Sequence, residues 1–124
     1  MSDITIDLTH GDDMSIAIAG LCQDATEEEY AKGKERARKA GQLAADQLHE
    51  TSPKRTGKYA KGWVMEEQED SRGFSVVVKN KAKPGITHLL EKGHMTRKGN
   101  RTRAFPHIAP AYEKAKRRLE ADDG

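Results

Sequence analysis

The stretch YAKGWVMEEQEDSRGFSVVV, residues 59–78, decides the fold class. Its second half, Phe74-Ser75-Val76-Val77-Val78, is β-branched and aromatic, the composition of a pleated, half-buried strand. Asp70-Ser71-Arg72-Gly73 carries turn chemistry with Gly at its end. Trp63, Val64 and Met65 place a preceding strand over Tyr59 to Glu69. Two such runs around a short turn predict an antiparallel hairpin, which excludes an all-helical chain.

Working outward, the residues ahead of the hairpin read as a long helix. Thr26 followed by Glu27, Glu28 and Glu29 has the form of a capping box, with acids at the positive end of the helix. Ala37, Ala40, Gly41, Ala44 and Leu48 recur at spacings of three and four, a narrow small-residue stripe that lets another element approach closely. Pro53 stops this helix, because the residue before a proline avoids the α region. Lys54 to Lys58 then reads as a turn.

Beyond the hairpin, Lys81 to Gly85 is a loop with Pro84-Gly85 as its turn signal. Ile86 to Lys92 predicts a short helix that buries Leu89 and Leu90 and stops at Gly93. Residues 95–104 are polar, basic and Gly-containing, which predicts a mobile loop. Pro106 opens a last helix with an apolar stripe of Ile108, Ala111, Tyr112, Ala115 and Leu119. Pro110 lies in its first turn, where proline is tolerated. At the other end, Ile4 to Leu8 alternates as a short strand or extended arm. Gly11-Asp12-Asp13 breaks it, and the apolar residues 14–22 read as the beginning of a helix.

The sum is an α+β fold: a long N-terminal helix and a C-terminal helix packed on a small antiparallel sheet, with a mobile basic loop. The length of 124 residues fits one domain. It divides into an N-terminal segment of undefined role (1–25), a core (26–120) and a frayed tail (121–124).

Charge narrows the function classes. The balance of 22 Lys+Arg against 20 Asp+Glu hides strong segregation. Residues 1–30 hold eight acids and no Lys or Arg; residues 79–103 hold eight bases and one acid. Such poles serve either as solvated faces or as complementary surfaces that meet when copies associate. Hydrophobic residues are only 35%, and no apolar run approaches the roughly 20 residues of a membrane span. Met1 to Leu8 has acids and no base, unlike a signal peptide. The lone Cys22 cannot form an internal disulfide, which agrees with a reducing compartment such as a cytoplasm.

Chemistry-bearing patterns are weak. Gly57 to Gly62 has the spacing of a phosphate loop, but Trp63 and Val64 follow where Lys and Ser/Thr are required. His88, His94 and His107 cluster in the C-terminal half with Glu91 one turn after His88. Without a second Cys or an HxxxH spacing they make a poor metal set. Cys22 sits among acids, which does not activate a thiol, and no Ser lies in a GxSxG elbow. The reading is therefore non-enzymatic, with no cofactor and no metal. Arg97, Lys98, Arg101 and Arg103 around Gly99-Asn100 have the charge to neutralise phosphates. A small nucleic-acid-binding module using loop 97–103 is the alternative reading.

Three segments carry a resemblance. Thr51-Ser52-Pro53-Lys54-Arg55-Thr56-Gly57-Lys58-Tyr59-Ala60-Lys61-Gly62-Trp63 resembles the PxxTGxLxxxW segment of the bacteriophage head–tail joining family. These are the neck or tail-completion proteins, also called minor tail components, of long-tailed phages. Thr87-His88-Leu89-Leu90-Glu91-Lys92-Gly93-His94 is similar to its LLE-GH segment, and Phe105-Pro106-His107-Ile108-Ala109-Pro110-Ala111 to its closing PHIAPA segment. Their order and spacing match over about residues 45–120, leaving the N-terminal 25 residues outside.

The resemblance implies a structural virion assembly protein, part of a neck ring that joins and seals head to tail. It would be assembled in the host cytoplasm and carried in the virion. Its implied partners are copies of itself, head-connector proteins, tail-tube or tail-terminator proteins, and DNA in the channel; no membrane is implied. On this reading Pro53, Thr56, Gly57, Trp63, Gly93, Pro106 and His107 define the fold. Glu91, His94, Arg97, Lys98, Arg101 and Arg103 supply self-assembly or partner contacts.

Overall fold

A computed structural model of the chain describes residues 4–9, 14–21, 25–52, 57–71, 73–83, 87–93, 95, 98–101 and 103–121. The elements run β1 (Ile4–Thr9), β2 (Ser15–Leu21), α1 (Glu27–Thr51), α2 (Lys58–Lys61), β3 (Trp63–Asp70), β4 (Gly73–Asn80), α3 (Thr87–Lys92) and α4 (Ile108–Ala121). The four strands form one antiparallel sheet in the order β1-β2-β4-β3, with helices packed against it, an α+β fold.

The expected hairpin is β3–β4, in register from Trp63↔Asn80 to Asp70↔Gly73. The N-terminal reading needs correction. Residues 14–22 do not begin a helix. Ser15–Leu21 is β2, an inner strand pairing β1 on one side and β4 on the other. Alternation explains it: Ile16 and Ile18 are fully buried, while Ala17 and Ala19 point to the opposite face. The sheet therefore has four strands, two of them ahead of the long helix.

One face of the sheet carries Ile4, Ile6 and Leu8 of β1, Ile16 and Ile18 of β2, Phe74, Val76 and Val78 of β4, and Trp63 and Met65 of β3. All of them belong to the core or pack on it. Helix α1 lies across this face. Its start is a complete capping box, with Glu29 N donating to Thr26 Oγ1 at 3.1 Å and Thr26 N to Glu29 Oε1 at 3.4 Å. It buries Ala37, Ala40, Gly41, Ala44, Ala45 and Leu48, the small-residue stripe. Gly41 shows why the stripe is small. A Cβ there would lie 2.7 Å from Val76 Cγ1 and 2.9 Å from Met65 Sδ.

Helix α4 packs beside α1 through Ile108, Ala111, Ala115 and Leu119, and Arg36 Nη2 donates to Leu119 O at 2.7 Å. The outer rim of α1 is tied to β3 by polar pairs. Arg38 meets Glu67 at 2.8 Å and Lys34 meets Glu69 at 3.1 Å, while the Tyr30 hydroxyl donates to Glu69.

A second correction concerns Tyr59 to Gly62. These residues do not extend the strand; Lys58–Lys61 forms the single helical turn α2, entered through Gly57 in the left-handed region (φ 83°). The turn points Tyr59 and Ala60 inward and delivers Trp63 to the start of β3. Trp63 is 2% exposed; its Nε1 donates to Ser52 Oγ at 2.8 Å, and its carbonyl lies 2.7 Å from His49 Nε2. One side chain thus ties the end of α1 to the sheet.

Candidate functional site at the α3–α4 corner

Helix α3 turns a polar face inward. Thr87 and Glu91, four residues apart, are buried (0% and 8% exposed), whereas Leu89 and Leu90 are only partly buried. The expectation that the two leucines fill the core is corrected for a physical reason. The groups facing α3 are the phenol of Tyr59 and the free amides that open α4, and these require hydrogen bonds.

Glu91 supplies them. Its Oε1 accepts from His107 N at 2.7 Å and Ile108 N at 2.8 Å, and its Oε2 from Ala109 N at 3.1 Å. The first amides of a helix have no partner within it, and the helix dipole favours an anion there. A side chain from α3 thus caps α4 across sixteen residues of sequence. Burial alone would push this carboxyl up. The His107 side chain and the three backbone N–H groups outweigh it and hold Glu91 down at about 2.

His107 completes the joint. Its Nδ1 lies 2.8 Å from Phe105 O and 3.0 Å from Glu91 Oε1, two acceptors that assign the proton to Nδ1 in the neutral ring. Nε2 then accepts from the Tyr59 hydroxyl at 2.6 Å, and that hydroxyl also hydrogen-bonds Thr87 Oγ1 at 3.1 Å. Burial pushes the Tyr59 phenol up to about 12, against the opposing Thr87 hydrogen bond and with help from the Glu91 charge. The rings of Tyr59, Trp63 and His107 meet edge to face, with centroids 5.6–6.2 Å apart. Sequence reading did not single out Tyr59 or Thr87. Their only signal was their place inside two motif segments.

A His–carboxylate pair beside a hydroxyl has the parts of a general-base relay. Here the nitrogen that would face a substrate faces Tyr59, and the group is sealed in the core. The arrangement locks three elements together. Among the described residues, no group of three or more His, Cys, Asp or Glu is placed to hold a metal.

The joint pins both ends of the basic loop. Gly93 leaves α3 with φ 74°, and Phe105 N returns to Leu90 O at 2.7 Å. Within the loop, Met95 and Arg101 form an antiparallel bridge closed through Gly99 at φ 84°. In the described part of residues 95–104, Met95 and Arg101 thus pair across a turn at Gly99. Lys98, Arg101 and Arg103 are exposed on it. Met95 and Phe105 are 60% and 46% exposed, the large exposed hydrophobics of the described residues.

The anticipated site residues thus divide. Lys98, Arg101 and Arg103 share the loop surface, Gly93 and Pro106 lie at its ends, and Gly57, Trp63 and His107 sit around Tyr59. Glu91, anticipated as a contact residue, is spent inside the fold. Pro53, Thr56, His94 and Arg97 lie outside the described residues, as do the side chain of His88 and the whole of Cys22.

A family model described as "Bacteriophage HK97-gp10, putative tail-component" matches residues 24–93, from just ahead of α1 to the glycine that ends α3. This chain belongs to the HK97-gp10-like family. Membership in this phage tail-component family makes it a phage structural protein, carried in the virion. The match covers the long helix, the α2 turn, the hairpin and α3; β1, β2, the basic loop and α4 fall outside it. No curated protein and no solved structure matches the chain. No helix among the described residues is long and apolar enough to cross a membrane.

Proposed function

We propose that this HK97-gp10-like protein works at the neck of a long-tailed phage or prophage virion, as one copy in a ring that joins and seals head to tail. The observation that carries the reading is the α3–α4 corner in a phage structural protein. A buried four-residue joint holds an acid-free, exposed loop by both ends, an arrangement that presents a surface rather than a catalytic cleft. A side-to-side, heterologous contact that closes on itself gives a ring. The exposed acid Glu27, at the start of α1, stands on a different part of the chain from the basic loop and suits such a contact.

The partners are then copies of the chain, the head connector on one side and the tail-tube or tail-terminator protein on the other. In this reading Lys98, Arg101 and Arg103, with Arg97 and His94, form the contact set. Pro53, Thr56, Gly57, Trp63, Gly93, Pro106 and His107 maintain the fold that displays them, and Glu91 positions the loop.

Electron microscopy of lysates from a phage lacking this gene tests the reading. It predicts DNA-filled heads and finished tails that stay separate, rejoined when the protein is supplied. Joined, infectious virions at ordinary yield would refute it.

A further inference from the structure

Three features of the loop coincide. From Lys92 to Tyr112 the chain contains no Asp or Glu, while Lys92, Arg97, Lys98, Arg101 and Arg103 fall within it. The described cations of that run, Lys98, Arg101 and Arg103, are all exposed. Met95 and Phe105, 60% and 46% exposed, sit toward the two ends of the same excursion. Large apolar side chains left in water on the same loop as three exposed cations are the composition of a surface that meets an extended polyanion with partly apolar units.

Several acids of the folded surface already have partners within their own chain. Glu28, Glu66, Glu67 and Glu69 each pair with a Lys or Arg of their own chain, at 2.6–3.3 Å. Glu29 and Glu91 are occupied capping helices. These six acids are thus already engaged within their own chain. A nucleic-acid strand supplies a regular row of uncompensated phosphates together with apolar sugar and base faces.

We propose that Lys98, Arg101, Arg103 and Phe105 form a nucleic-acid-binding surface, the cations on the phosphodiester backbone and the Phe105 ring on a sugar or base face. The Phe105 amide is held by Leu90 O and Met95 bridges Arg101, so the described part of the loop is ordered before any strand arrives. The inference does not depend on the neck reading, since binding here belongs to the purified protein.

Fluorescence anisotropy with a labelled short duplex and a single strand of equal length tests it. Binding should be saturable at about 50 mM salt and weaken as salt rises, with a log–log slope of about −2.7 on the duplex and about −2.1 on the single strand for three neutralised phosphates. The triple variant K98E/R101E/R103E should lose at least about tenfold in affinity while it keeps a cooperative thermal transition, all three side chains being exposed. Phe105→Ala, which leaves the charge intact, should weaken binding with no change in that slope. A preference for the single strand that this variant removes assigns the ring to base stacking; equal loss on both DNAs assigns it to the sugars. Absence of saturable binding to either DNA would overturn the proposal. So would wild-type affinity in the triple variant, or polyglutamate or anionic vesicles competing as well as DNA.

Discussion

At the residue scale, Glu91 is the side chain on which the corner turns. Its carboxylate holds three backbone amides and one imidazole, and its titration carries a stability signature. The folded-state value of about 2 lies below the ordinary 4.5. The folded protein therefore binds this proton less readily than the unfolded chain does. The stabilisation is complete above about pH 4.5 and is lost as pH falls toward 2. Glu91→Gln should destabilise by about 2 kcal/mol near neutral pH. The deficit should shrink as the wild type is titrated through the acid range. Urea unfolding of both proteins at neutral and acid pH measures this, and a pH-independent deficit would contradict it. Trp63 is the second such residue: Trp63→Ala should cost about 3–5 kcal/mol, read in the same experiment. The corner was only half legible in the sequence. Glu91 and His107 stood out as types, but nothing in a linear pattern says that a glutamate on one helix caps the next. Sequence rules for caps look within a few residues, whereas this cap arrives from another element.

At the scale of elements, α1 was the most legible part of the chain. Its cap, stripe and stop are local, and local signals survive folding. Two of its glycines make a sharper test of how it sits on the sheet. At Gly33 an added Cβ would meet Phe74 at 3.6 Å, an ordinary contact, so Gly33→Ala should stabilise by about 0.5–1 kcal/mol through helix propensity. At Gly41 it would fall 2.7 Å from Val76 Cγ1, so Gly41→Ala should destabilise by about 1–2 kcal/mol despite the same propensity gain. Thermal denaturation of the two variants should move in opposite directions, and movement in the same direction would show that the helix stands further from the sheet than described. Strand β2 was the least legible element. A run mixing Ile with Ala and Gly fits either period over so short a length, and its strand state comes from β1 and β4 pairing on either side. The single turn α2, at four residues, is too short to repeat a helical period; only Gly57 and Gly62 bracket it.

At the scale of the whole molecule, the N-terminal strands belong to the structural core although the family match begins after them. Removing residues 1–21 would strip β4 of an inner partner and expose the edge carrying Phe74, Val76 and Val78. That truncated chain should lose its cooperative thermal transition and aggregate. A stable, cooperatively unfolding product would show the strands to be an appendage. The segregation of charge was legible from the first, but which acids remain available was not, since that depends on ion pairs between α1, β3 and β4. The proposed place of this phage structural protein is where head meets tail. Cryo-electron microscopy of the intact virion measures that directly. The account predicts a closed ring of this four-stranded fold at the head–tail junction. Finding the fold along the tail tube or at the tail tip, with the junction built of other chains, would contradict it.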